Sequence, residues 1–222
     1  MAPLRLVIFD VDGTLVDSQA DIIESMTAAF DSAGLPVPQR SDILSIVGLS
    51  LDVAISRLAS GGDIPRMVQA YKDCYAHLRQ SKGAASSPLY PGAREALDHF
   101  AGLDNMLLGV ATGKSRRGLD SLIEAHGLEG MFVTRQVADF HPSKPHPSMI
   151  EAALAETGVG QADAVMIGDT RFDMEMATNA GVSAIGVTWG YHPRAHLTAA
   201  HVVINGFAAL PEAVEHVLGA VK

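Results

Sequence analysis

Cysteine is nearly absent: Cys74 is the only one in 222 residues, which excludes an intrachain disulfide and any cysteine-built zinc cage. Basic residues are scarce as well. Sixteen Lys and Arg stand against 25 Asp and Glu, a formal net charge of −9, so the clustered cations that a nucleic-acid backbone requires are missing. Long apolar runs are lacking too. The longest uncharged stretch, 176–193, is broken by Asn179, Gly181, Ser183, Gly186 and Pro193 and does not read as a membrane span. The opening residues Met1-Ala2-Pro3-Leu4-Arg5 carry no basic-then-apolar export pattern. The expectation is a cytoplasmic protein, whose lone thiol stays reduced, with neither nucleic acid nor membrane as partner. What is present suits a globular protein, neither disordered nor collagenous. Hydrophobic residues make up 48% and charged residues 18%, and a chain of this size buries about 70% of its unfolded surface, enough for one full core plus a smaller unit.

Short apolar runs at 4–9, 106–111, 164–167 and 183–187 read as strands of a parallel sheet buried on both faces, with 201–205 as a last, outer strand. Helical periodicity lies between them at 94–100, 115–126, 148–156 and 172–180, with Gly127, Gly158 and Gly181 as stops. Strand–helix alternation of this kind predicts right-handed βαβ units. Residues 18–86 break the rhythm. They carry helical signals only, at 20–33, 51–59 and 64–80, and end in the linker-like Lys82-Gly83-Ala84-Ala85-Ser86-Ser87-Pro88. Residues 19–87 are close to neutral, at net −1, and the remainder holds −8. The expected architecture is α/β. A Rossmann-like open parallel sheet forms the core from 1–17 and 87–222, and a small all-α cap, 18–86, is inserted after the first strand.

Chemistry-bearing residues fall at the carboxyl ends of the predicted strands: Asp10 and Asp12, Thr112-Gly113-Lys114, Lys144, and Asp169 with Asp173. In an open α/β sheet the ligand crevice lies outside those ends, so the fold gathers them. Four aspartates and one lysine sum to −3, a charge that some carboxylates would relieve by taking up protons. A hard divalent cation solves the same problem, and Mg²⁺ suits an all-oxygen set. The cluster can then accept a phosphate ester, its charge shared by Lys144, the Thr112 hydroxyl and backbone N–H groups. Two acids spaced i, i+2 at a strand exit can divide the work. One attacks phosphorus, giving an aspartyl phosphate; the other protonates the leaving oxygen and then deprotonates water.

Asp10-Val11-Asp12-Gly13-Thr14-Leu15-Val16-Asp17-Ser18 resembles the first motif of the haloacid dehalogenase-like phosphohydrolase superfamily. Val110-Ala111-Thr112-Gly113 resembles the second, Ser143-Lys144-Pro145-His146-Pro147 the third, and Gly168-Asp169-Thr170-Arg171-Phe172-Asp173-Met174 the fourth. The set stands in family order over essentially the whole chain, and the insert looks like the family's four-helix type of small cap. Within the superfamily the chain looks most like the phosphoglycolate phosphatase group. The resemblance implies Asp10 as nucleophile and Mg²⁺ ligand, Asp12 as general acid/base with its carbonyl on the metal, and Thr112 and Gly113 on the phosphoryl oxygens. It implies Lys144 beside Asp10 and the phosphate, Asp169 on Mg²⁺, and Asp173 in direct or indirect support. Family dehalogenases lack an acid at the position of Asp12, so its presence favours phosphoester chemistry on a small phosphorylated metabolite.

Other readings compete. A sugar phosphomutase or a pyrophosphatase is possible on the same fold, and a non-catalytic phospho-acceptor switch would use a similar constellation without needing Asp12 or the insert. Thr112 and Asp173 could serve as helix caps. Lys114, Arg116 and Arg117 read as a solvated basic face, and Arg171 either meets substrate or pairs with an acid. Cys74 reads as packing, His141 and His146 carry no assigned role, and Trp189-Gly190-Tyr191-His192 reads as a loop packed on the core. Val47-Gly48-Leu49-Ser50 offers either a plain cap at Ser50 or a helix N-terminus able to hold an anion, with Arg40 a further candidate in the insert.

Overall fold

The apolar run at the start of the chain forms β1 (Arg5–Phe9), and its side chains divide by the two-residue period of a strand. Val7 and Phe9 enter one apolar cluster, Leu6 and Ile8 the other, and all four are fully buried. A strand covered on both faces has no room for alternating polar residues, which is why this sequence reads as continuous hydrophobics. The computed structural model describes residues 3–219. In chain order the helical segment follows: α1 (Gln19–Ser32), α2 (Arg40–Ser45), α3 (Leu51–Leu58) and α4 (Ile64–Lys82). The chain then returns through α5 (Ala93–Ala101), β2 (Met106–Thr112), α6 (Arg116–His126), β3 (Thr134–Val137), α7 (Ser148–Thr157) and β4 (Ala164–Gly168). It ends with α8 (Arg171–Asn179), β5 (Ser183–Val187), β6 (Val202–Ile204) and α9 (Leu210–Gly219). No described helix is long and apolar enough to cross a membrane.

The sheet has the order β3-β2-β1-β4-β5-β6, and every described pairing is parallel. The chain runs outward from β1 to one edge and then restarts on the other side of β1, so the crevice between β2 and β4 opens at the C-terminal end of β1. Register brings the strand ends level: Phe9 pairs with Val110 on one side and Ile167 on the other. Asp10, Thr112 and Asp169 therefore emerge side by side, although up to 159 residues separate them in sequence.

Three elements were not legible in the sequence pattern. Strand β3 sits at an edge, and its Thr-Arg-Gln-Val sequence lacks the apolar run that marks the buried strands. Helix α2 is a single short turn and a half, below the length at which periodicity shows, and α9 lies beyond the last run identified as a strand.

Helices α1 to α4 bury their apolar stripes against one another in a third cluster, built on Met26, Phe30, Ile43, Ile55 and Met67. One member comes from outside: Phe172, in the first turn of α8, is 2% exposed and packs among them. The two chain crossings into this segment run side by side. Asp17 N–H donates to the Pro88 carbonyl at 2.9 Å, and Tyr90 N–H to the Leu15 carbonyl at 3.0 Å.

Candidate active site

Asp10 follows β1 directly and is 1% exposed. Its Oδ1 accepts a 2.8 Å hydrogen bond from Lys144 Nζ; its Oδ2 is buried with no hydrogen-bond partner among the described residues. A bare carboxylate oxygen in this position is the group a metal or a phosphorus atom would meet. Burial, reinforced by Asp173 and Asp12 and only partly countered by Lys144, pushes the Asp10 carboxyl up to about 7. Next comes Gly13, at φ +87°, where the chain turns back. A Cβ there would run into the Asp169 carboxylate, so only glycine fits on both counts.

Asp169 leaves β4 fully buried, its Oδ1 bonded by the Thr14 hydroxyl at 2.9 Å and its Oδ2 by the Tyr191 N–H at 2.7 Å. Burial, with Asp173 and Asp10 adding repulsion, raises its carboxyl well above the usual range. Asp173 does cap a helix, as one sequence reading allowed. Its Oδ2 takes the Thr170 N–H (3.0 Å) and hydroxyl (2.7 Å), and Thr170 Oγ1 receives the Asp173 N–H. That capping box orients the other oxygen, Oδ1, to Lys144 Nζ at 2.7 Å, so capping and site-building are one arrangement. Oxygens of Asp10, Asp169 and Asp173 all lie within 4.8 Å of one another. Lys144 sits against this set with its side chain fully buried, not solvated. Burial alone would lower its ammonium, but Asp10 and Asp173 more than offset this and hold it above its ordinary value.

Asp12 stands apart from the three-carboxylate set. Its Oδ1 receives the Ser18 hydroxyl, and both its oxygens receive Lys114 Nζ, at 2.6 and 2.9 Å. Here the sequence reading is corrected: Lys114 is not on a solvated face, since its side chain is 9% exposed in an ion pair with Asp12. The periodicity of α6 could not show this, because Lys114 precedes the helix and its partner lies 102 residues away. Thr112, at the end of β2, is buried and accepts the Lys114 N–H at 3.2 Å. The α6 cap is Ser115 instead, whose Oγ accepts the Gly118 N–H at 3.2 Å. Gly113 lies under the loop before α3: a Cβ there would meet the Gly48 and Leu49 carbonyl oxygens.

The remaining candidates separate. Ser50 makes no side-chain cap, and its N–H donates to Ser143 Oγ at 2.9 Å. Arg40 bonds the Gln19 side chain, exposed. Arg171 makes no ion pair among the described residues and lies over the Phe172 ring at 5.0 Å. Arg116 is tied to the Arg135 carbonyl at 2.8 Å, and His141 bridges Ser148 Oγ and Gln136 Oε1. Trp189 packs on the core as expected, but the same loop does more than pack. Tyr191 supplies the N–H that holds Asp169 and a hydroxyl 3.1 Å from Ser18 Oγ, a role that no local pattern announces. A cavity of about 1330 Å³ opens over the site, bordered by Asp10, Asp12, Thr112, Gly113 and Lys114 below and by Tyr71, Tyr75 and Arg79 of α4 above.

Known proteins share this framework. The sequence pattern of haloacid dehalogenase-like hydrolases matches residues 7–187. The Dickeya dadantii protein named Probable phosphatase IndB is 36% identical over 219 residues, 96% of this chain and 94% of its own. A phosphoglycolate phosphatase of Agrobacterium fabrum is 34% identical over 216 residues, covering 94% and 91%. Among solved structures, a haloacid dehalogenase-like family hydrolase from Streptococcus pneumoniae superposes with a TM-score of 0.82 at 25% identity, over 96% of this chain and 99% of that one. A Pseudomonas syringae hydrolase at 23% identity, covering 96% and 98%, shares the fold with a TM-score of 0.84. Motif order, sheet topology and near-full-length relatives agree: the chain belongs to the haloacid dehalogenase-like hydrolase family.

Proposed function

We propose that this protein is a Mg²⁺-dependent phosphomonoesterase acting on a small phosphorylated metabolite through an aspartyl phosphate on Asp10. The observation that carries the reading is the bare, buried Asp10 Oδ2 at the floor of the cavity, beside the only lysine that contacts the three-carboxylate set among the described residues. Asp10, Asp169 and Asp173 present oxygen donors alone, the chemistry Mg²⁺ prefers, and the Asp12 carbonyl would complete the protein's share. When bound, the ion would offset the carboxylate charge and polarise a phosphoryl oxygen.

The chain's own groups then do the following. The Asp10 carboxylate attacks phosphorus; a new P–O bond to Asp10 forms as the ester P–O bond breaks. Asp12 gives its proton to the departing oxygen. The Thr112 hydroxyl, the Gly113 N–H and the Lys144 ammonium hold the phosphoryl oxygens. Asp12 next takes a proton from water, whose oxygen attacks phosphorus, releasing inorganic phosphate and restoring Asp10. We further propose residues 18–86 as a cap. The Gly48–Leu49 backbone lies on Gly113, and His192 Nε2 donates to the Ser45 carbonyl at 3.0 Å, contacts that support docking of the helical segment on the core beside the site. Phosphoglycolate leads as substrate because relatives carry that name.

A panel of phosphorylated metabolites, assayed for released phosphate with Mg²⁺, tests the reading. Sustained turnover is expected, lost in EDTA and reduced by at least about three orders of magnitude in Asp10→Asn. Uptake of one phosphate per chain without turnover would point to a phospho-acceptor switch instead. Near-normal activity of Asp10→Asn would remove the nucleophile assignment.

A further inference from the structure

The mechanism above gives Lys114 no part, yet Lys114 is bound more fully than any other cation bordering the cavity. Its Nζ lies 2.6 and 2.9 Å from the two Asp12 oxygens and 2.9 Å from the Tyr75 hydroxyl, and 4.8 Å from the centre of the Tyr75 ring. Its backbone is pinned as well: the N–H goes to Thr112 Oγ1, and the carbonyl receives the Ala138 N–H at 3.0 Å. Removing a lysine and an aspartate from water is costly, and a plain hydrophobic contact of the same volume would serve stability as well or better. A purely structural role therefore leaves this pair unexplained.

We propose that Lys114 is a positioning residue for Asp12, and that Tyr75 makes its placement depend on α4. The inference rests on reading Asp12 as the proton donor. Asp12 has two outside holds on its carboxylate, Ser18 from the first chain crossing and Lys114 from the end of β2. Ser18 reaches one oxygen only, so the second contact fixes the rotation of the carboxyl group. Lys114 in turn is set by β2 on one side and by Tyr75 on the other. Tyr75 stacks on Tyr71 at 5.9 Å, and its hydroxyl lies 3.3 Å from Ser87 Oγ on the return crossing. With α4 in place, Lys114 holds Asp12 aimed along the cavity floor; with α4 displaced, it loses the hydroxyl and the ring that hold it there. The proton from Asp12 ends on the leaving oxygen as the ester P–O bond breaks, so misaiming Asp12 slows the first step according to how much the leaving oxygen needs that proton.

The test is a series of aryl phosphates from p-nitrophenyl phosphate, whose phenolate leaves unaided, to phenyl phosphate, which needs the proton. The readout is kcat/KM, which reports steps up to phosphoryl transfer. Positioned proton transfer contributes about 10²–10⁴-fold, so Lys114→Met is expected to lower kcat/KM about 10–100-fold for phenyl phosphate but less than about threefold for p-nitrophenyl phosphate. Tyr75→Phe keeps the ring and the packing and should show the same slope change in smaller measure. Added to Asp12→Asn, Lys114→Met should cost little more, since both act on one proton. Equal losses across the series, or losses in KM that add to those of Asp12→Asn, would make Lys114 a substrate-binding or packing residue and overturn the inference. If Asp12→Asn steepens the slope and neither Lys114→Met nor Tyr75→Phe does, the Lys114 inference alone falls. If Asp12→Asn leaves the slope unchanged, the reading of Asp12 falls and takes this one with it.

Discussion

Replacing Lys144 with methionine isolates the electrostatics of the site. Lys144 Nζ lies 2.8 Å from Asp10 and 2.7 Å from Asp173, with none of its side chain exposed. Methionine keeps an unbranched stem of similar volume, so the change removes charge rather than packing. Three carboxylates then share a space in which their oxygens lie within 4.8 Å, and at that distance each like pair repels by about 3.5 kcal/mol in an effective dielectric of 20. Proton uptake will relieve part of this, leaving the cost expected for breaking a buried pair, about 3–5 kcal/mol at pH 8 in EDTA. For a chain of this size each kcal/mol moves Tm by about 2–4 °C, so calorimetry should show a drop of about 6–20 °C. Two conditions should narrow the gap. At pH 5 Asp10, already raised to about 7 in the wild type, is protonated in the folded state and no longer needs its cation. Saturating Mg²⁺, bound at the three carboxylates as proposed, would supply the missing positive charge. A gap below about 2 °C at pH 8, or one that stays the same at pH 5 and with Mg²⁺, would refute the reasoning.

Three further outcomes are expected. In the metal-free wild type, the Asp10 carboxyl stands at about 7 when folded against 3.8 when unfolded, so the folded state holds the extra proton and this group's contribution to stability falls as pH rises from about 4 to about 7. Burial lowers His126, His141 and His192, which act in the opposite sense, so the check is the Tm difference between wild type and Asp10→Asn; a difference that does not shift against the wild type from pH 5 to pH 8 would contradict this. Gly13→Ala combines a left-handed backbone, costing about 1–2 kcal/mol, with a collision against Asp169, so both Tm and calorimetric Mg²⁺ affinity should drop; unchanged Mg²⁺ binding would dissociate Gly13 from Asp169. Phe172→Ala should cost about 3–5 kcal/mol and speed proteolysis at the crossings near Val16 and Ser87, because Phe172 is the core residue buried in the helical cluster. Cleavage at wild-type rates would argue that this ring does not hold the helical segment down.

The sequence by itself determined the buried strands, because a strand covered on both faces must be continuously apolar, and it determined which acids and threonine stand at their ends; Lys144, expected at a strand end, instead sits in the loop between Val137 and Ser148, seven residues past the edge strand. It marked residues 18–86 as helical for the same reason: no two-residue period occurs there. The polar edge strand Thr134–Val137 escaped, since an edge needs no apolar run, and so did Arg40–Ser45, too short to display a period. Tertiary structure alone decided the rest of the site. That Lys114 meets Asp12, that Tyr191 holds Asp169, and that Phe172 reaches into the helical cluster all depend on sheet order and loop closure. Local sequence encodes periodicity and caps, whereas a hydrogen bond between groups 22 or 102 residues apart exists only once packing has fixed both backbones.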